Sequence, residues 1–108
     1  IYHGAFAISV CPSEGLESPT VVGAQAANEL LNIIGIKASF VLTEYNDKIY
    51  ISSRSIDEIN VQIIMEKLGG GGHLNVAGAQ LTGVTIVQAK RMIQDTLDEM
   101  LKEGDIEE

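Results

Sequence analysis

Apolar and polar positions change period several times along this chain, and each change marks an element. From Ala5 to Val10, Phe6, Ile8 and Val10 alternate with small residues, which is the period of a strand. Pro12, Gly15 and Pro19 punctuate a loop after it. Ser18 reads as an N-cap with Pro19 at the first helical position. Val22, Ala26, Ala27, Leu30, Leu31 and Ile34 then recur at helical spacing up to Gly35. Period 2 returns over 36–43, with Ile36, Ala38, Phe40 and Leu42 on one face. Asn46 and Asp47 make a turn, and 48–53 come back with Ile49 and Ile51 inward, completing a β-hairpin. Asn60 caps a second helix carrying Val61, Ile64, Met65 and Leu68 at i, i+3, i+4 and i+7, stopped by the glycine run 69–72. Ala77 to Leu81 reads as a short strand. Thr85, with Gln88 three residues on, forms a capping box for a last helix. Its apolar face is Ile86, Ala89, Ile93, Leu97, Met100 and Leu101, and Gly104 ends it.

The order β-α-β-β-α-(β)-α predicts one α/β domain, a mixed β-sheet with helices packed on it. The opening βα unit favours a parallel pair made through a crossover, and the hairpin adds an antiparallel pair. Residues 1–104 are expected to form the domain and 105–108 an acidic tail that frays.

Composition narrows the function more than the fold. The chain has 108 residues, 45% hydrophobic and 20% charged, as an ordinary globular domain does. Its net charge is −8, and most of that sits in the acid-rich end from Asp95 to Glu108. The rest is near neutral and carries no basic stripe, which argues against binding long nucleic acid. A small anionic ligand held by a few local groups fits this balance. No apolar run approaches the roughly 18 residues of a membrane span, so no direct membrane contact is expected. Cys11 has no second cysteine to pair with, which suits a reducing compartment. His3 and His73 lie far apart with no carboxylate at ligand spacing, which argues against a metal site. The absence of an initiator Met suggests a cut inside a longer protein.

The segment richest in chemistry is Gly69-Gly70-Gly71-Gly72-His73-Leu74-Asn75. Four glycines between ordered elements cost backbone entropy. They fit where side chains would obstruct something. Bare backbone N–H groups can turn inward as an anion-binding nest, with His73 as a further donor at its rim. The competing reading is a flexible spacer, but such spacers usually contain serine and join separate units. No Lys-Ser or Lys-Thr follows the run, and no glycine stands at 74 or 75, so neither nucleotide-loop pattern applies. Ser52-Ser53-Arg54-Ser55, at the end of the hairpin, is the second candidate. An arginine there can grip a phosphate with its fork, and neighbouring hydroxyls can assist. Tyr2, Tyr45 and Tyr50 could stack on a base, although Tyr50 sits in a strand and could simply pack.

The glycine-histidine run followed by Ala77-Gly78, with Ser53-Arg54-Ser55 about twenty residues upstream, resembles the DHH-associated C-terminal domain of DHH-family phosphoesterases. Within that family, the stretch Val61 to Leu74 looks like the membrane-anchored cyclic-di-AMP phosphodiesterases of Gram-positive bacteria. The resemblance spans essentially the whole chain. It implies a substrate-binding domain that works beside an N-terminal DHH domain. That domain would bind two Mn2+ ions and hydrolyse cyclic di-AMP to linear pApA. Gly70, Gly71, Gly72 and His73 would contact substrate phosphate or sugar, Arg54 would grip phosphate, and Ser53, Ser55 and Asn75 would be weaker contributors. No Asp-His-His and no metal-ligand set is present here, so this chain is expected to hold no catalytic residue and, alone, to be inactive. The domain would lie in the cytoplasm with its parent anchored in the cell membrane, and dimerisation of the parent stays open. Two alternatives stay open as well: the same domain of an oligoribonuclease or RecJ-like exonuclease, and a non-enzymatic α/β ligand-binding or oligomerisation module.

Overall fold

The computed structural model describes residues 4–11, 19–33, 35–56 and 59–106. The proposed cap Ser18, the loop residues Pro12 and Gly15, and His3, Tyr2 and Ile34 lie outside them. Five strands and three helices follow the expected order: β1 (Phe6–Cys11), α1 (Pro19–Leu30), β2 (Ala38–Tyr45), β3 (Lys48–Ser55), α2 (Val61–Lys67), β4 (Gly71–Gly72), β5 (Val76–Thr82) and α3 (Ile86–Glu103).

The strands form one mixed sheet in the order β1-β2-β3-β5-β4. β1 pairs parallel with β2, and α1 is the crossover that a parallel pair needs. All other pairs are antiparallel. Asn46 and Asp47, at φ 51° and 62°, close the β2–β3 hairpin. Two consecutive left-handed residues make the type I′ turn, whose twist matches that of the flanking strands.

Helices cover the two faces unequally. On one face α2 and α3 bury Phe6, Phe40, Leu42, Ile49 and Ile51 against Ile64, Met65, Ile93, Leu97 and Met100. Each of these large side chains contributes about 1.5–3 kcal/mol by leaving water. On the other face α1 lies over β1, β2 and β3 only. The first six residues of β2 are therefore buried on both sides, whereas β3 alternates half-buried and buried along its length. Beyond α1, no described helix packs on the same face of β5 and β4.

The helix signals act as expected in α2 and α3. Asn60 Oδ1 accepts from Ile63 N at 3.3 Å. Thr85 Oγ1 accepts from Gln88 N at 3.1 Å, while Gln88 Oε1 accepts from Thr85 N at 2.9 Å. Gly104, at φ 80°, ends α3, and Asp105 N donates to Met100 O at 2.9 Å. That Schellman turn folds Ile106 back into the core with 5% of its surface exposed, so Asp105 and Ile106, expected to fray, are held by packing. α1 stops at Leu30 rather than running to Gly35. Leu31, Asn32 and Ile33 each donate three residues back, which tightens the last turn.

Candidate functional site

A cavity of about 660 Å³ opens on the uncovered part of the sheet. The strand register explains what lines it. Successive side chains of a strand point to opposite faces. Ile49 and Ile51 point into the core, so Tyr50, Ser52 and Arg54 point the other way. Arg54 stands opposite Val76, Ser52 opposite Gly78, and Tyr50 opposite Gln80. On the far side of β5, Gly78 stands opposite Gly71. His73 N donates to Val76 O at 2.7 Å, closing a tight hairpin with Leu74 and Asn75 at its tip. Three rows thus cross the sheet: Arg54–Val76–His73, then Ser52–Gly78–Gly71, then Tyr50–Gln80. The middle row has almost no side chains and forms the floor. Ala24 of α1 contributes a wall.

The glycines have separate reasons to be glycine. A Cβ at Gly70 would meet Gly78 O and stand 2.7 Å from Ala79 Cα. One at Gly72 would stand 2.6 Å from Ala77 Cα. Those two residues let β4 press against β5. Gly71 is different: a Cβ there meets nothing within 4 Å, because it faces open space. Its φ is not among the positive ones, so backbone strain is not what selects glycine there. The backbone also departs from the expected nest. Gly69 N and Gly70 N donate to Glu66 O and Met65 O of α2 at 3.1 and 2.8 Å, and His73 N is committed to Val76 O. The run is an edge strand whose amides are largely used by the fold.

Arg54 carries the site's fixed charge. Its Nη1 donates to Ser53 O at 2.7 Å, which folds the guanidinium over the sheet. Partial burial lowers its pKa from the usual arginine value, and no carboxylate among the described residues offsets that cost. Among the described residues no acid lines the cavity, in a chain whose net charge is −8. His73 is exposed at the rim, at the end of the same row. Among the described residues there is no group of three or more His, Cys, Asp or Glu able to hold a metal. What the arrangement can do is hold an anion beside a cation, above a floor that backbone alone provides.

The structure therefore brings Arg54, Gly70, Gly71, Gly72 and His73 together around one cavity. It places Ser53, Ser55 and Asn75 elsewhere. Ser53 is fully buried on the core face, and its Oγ has no hydrogen-bond partner among the described residues. Ser55 Oγ donates to Ile59 O at 2.6 Å and accepts from Asn75 Nδ2 at 3.0 Å. Asn75 Nδ2 also donates to Ile56 O at 2.9 Å. These two side chains pin the β4–β5 hairpin tip to the junction between β3 and α2. They support the site through that anchor and do not line it. Tyr50 and Ser52, noted in the sequence as a possible stacking ring and as a hydroxyl beside Arg54, line the cavity too, together with Gly78 and with Gln80, which nothing in the sequence singled out. Period 2 was the signal for the first two: Ile49 and Ile51 inward require Tyr50, Ser52 and Arg54 outward.

The family model for the DHHA1 domain matches residues 5–103. The cyclic-di-AMP phosphodiesterase PdeA of Listeria monocytogenes is 50% identical over 99 residues, which is 91% of this chain and 15% of PdeA. The cyclic-di-AMP phosphodiesterase GdpP of Bacillus subtilis is 39% identical over 106 residues, 96% of this chain and 16% of GdpP. The chain thus spans about one sixth of the length of these relatives. An exopolyphosphatase-related protein of Bacteroides fragilis shares the fold, with a TM-score of 0.71 at 23% identity over 88% of this chain and 29% of its own. By the match along nearly its whole length, this chain belongs to the DHHA1 domain family of the DHH-family phosphoesterases.

Proposed function

We propose that this domain binds the phosphate of a cyclic dinucleotide, cyclic di-AMP, for a DHH-family phosphodiesterase that hydrolyses it to linear pApA. The observation that carries the reading is Arg54: a partly desolvated guanidinium with no carboxylate partner and no acid in the cavity lining among the described residues, over a glycine floor. The names of PdeA and GdpP supply the substrate. Arg54 directs its fork at two phosphate oxygens, and His73 donates from the far end of the same row. Gly71 and Gly78 let the sugar-phosphate lie against the strands. The contribution of this chain is capture and orientation, which lowers the entropy cost of reaction elsewhere in the enzyme.

Among the described residues no group of His, Cys, Asp or Glu fits a metal centre. In this reading the manganese pair and the bond-breaking step belong to a DHH domain of the parent protein. Anchoring of that parent in the cell membrane, with this domain on the cytoplasmic side, is part of the same proposal. In this chain no described helix is long and apolar enough to cross a membrane.

The test is an NMR titration of the 15N-labelled chain with cyclic di-AMP and, separately, with pApA. The expected shifts fall on Ser52, Arg54 and 70–73. Shifts confined to the α2–α3 side would overturn the proposal. So would none at about 1 mM ligand, a concentration that detects binding of only about 4 kcal/mol. Much tighter capture of pApA than of the cyclic compound would favour the short-oligonucleotide reading.

A further inference from the structure

The cavity continues past the phosphate row. Two residues along β3 from Arg54 stands Ser52, and two further stands Tyr50, all on one face. Same-face neighbours on a strand are about 6.5–7 Å apart. Opposite Tyr50, on β5, is Gln80, with its side chain exposed and on the cavity lining. Between these two polar ends lies the row Ser52–Gly78–Gly71, which offers one hydroxyl and otherwise bare backbone. Gly23 of α1 closes over that row's inner end, where a Cβ would stand 2.9 Å from Ser52 Oγ and 3.2 Å from Thr43 Oγ1. The Thr43 hydroxyl is buried there with no hydrogen-bond partner among the described residues.

A nucleotide has the same order of parts: an anion, a polar ring with little need of side-chain bulk beneath it, and a flat base with hydrogen-bonding edges. We propose that Tyr50 and Gln80 form a purine-base subsite, so that one nucleotide lies across the three rows as phosphate, sugar and base. The inference rests on the phosphate assignment to Arg54 and His73 made above. Tyr50 offers a ring face or edge against the base, a contact that tolerates any base. Gln80 supplies selectivity. Its amide presents one donor and one acceptor together, the pairing that matches the adjacent amine and ring nitrogen of adenine. On the N6/N7 edge adenine shows a donor beside an acceptor whereas guanine shows two acceptors, so neither orientation of the amide pairs with both groups of guanine. Ser52 faces the sugar hydroxyls from the middle row.

The experiment uses AMP, GMP and ribose 5-phosphate as probes, titrated by NMR into the wild-type chain, Gln80→Leu and Arg54→Ala. Gln80 is exposed, so its replacement leaves the fold intact. The wild type is expected to bind AMP at least about tenfold more tightly than ribose 5-phosphate, and to prefer AMP over GMP, as a matched amide–base pair does. Gln80→Leu should remove the preference between AMP and GMP and leave ribose 5-phosphate unchanged. Arg54→Ala should weaken all three. If Gln80→Leu leaves the AMP preference intact while Arg54→Ala weakens every probe, the base subsite is wrong and the phosphate site stands. If Arg54→Ala changes nothing, the phosphate reading itself fails, and the base subsite falls with it.

Discussion

Odd- and even-numbered residues of β3 meet opposite environments. Ile49, Ile51, Ser53 and Ser55 are buried under α2 and α3, while Tyr50, Ser52 and Arg54 are half-buried and face a cavity. Chain neighbours therefore differ more in role than residues twenty positions apart. Ser55 and Asn75 hold the scaffold together, and Arg54 and His73 share a row over the opening. A polar residue in this strand is thus explained first by its face and only then by its chemistry. The same division runs through the glycines, where Gly70 and Gly72 serve packing and Gly71 faces open space.

Gly70→Ala is expected to break that division most severely. Its Cβ would overlap the backbone of β5, which cannot move without disturbing β3. A loss of about 3 kcal/mol is expected, the upper range for overpacking, and chemical denaturation measures it. Gly71→Ala is the contrast. It should change stability by less than about 1 kcal/mol, while weakening ligand capture by intruding on the cavity floor. Equal losses of stability at the two positions would mean that β4 is not seated as described.

Arg54→Ala comes next, with its effect in binding. A charge-assisted hydrogen bond to phosphate is worth about 1.5–3 kcal/mol, so affinity should fall by about one to two decades. Arg54→Lys should recover only part of it, because a point charge lacks the fork. Ser55→Ala should act on stability instead. It takes the donor from Ile59 O and leaves Asn75 Nδ2 with only its bond to Ile56 O, at a cost of about 1–2 kcal/mol. Ser53→Ala should do least. Its hydroxyl is buried with no partner among the described residues, so removing it is expected to be neutral or to stabilise by up to about 1 kcal/mol, as thermal melts would show.

How far the sequence reveals this depends on where each interaction lies. Local signals are complete in the chain: Asn60, Thr85 with Gln88, Asn46-Asp47 and Gly104 all act within a turn of where they stand. The strand formed by Gly71 and Gly72 is not legible, because glycine has no strand preference and the pairing partner lies in β5. The buried end at Ile106 is hidden for the same reason: the acidic residues around it dominate the local pattern. In the site, Arg54, the glycines and His73 are legible from residue type. Assigning Ser53 and Ser55 to that site overlooks the alternation that Ile49 and Ile51 had already set. Gln80 could not be seen without the register that puts it opposite Tyr50.

The most direct measurement sets Arg54→Ala beside Ser55→Ala in this chain and records two quantities for each: affinity for cyclic di-AMP and Tm. Arg54→Ala should lose about tenfold or more in affinity with Tm within about 2 °C of wild type, since its side chain packs little. Ser55→Ala should lower Tm by about 4–10 °C and, measured well below that Tm, bind within about twofold of wild type. Wild-type affinity in Arg54→Ala, with the loss appearing in Ser55→Ala instead, would put the ligand on the other face of the sheet and contradict the account.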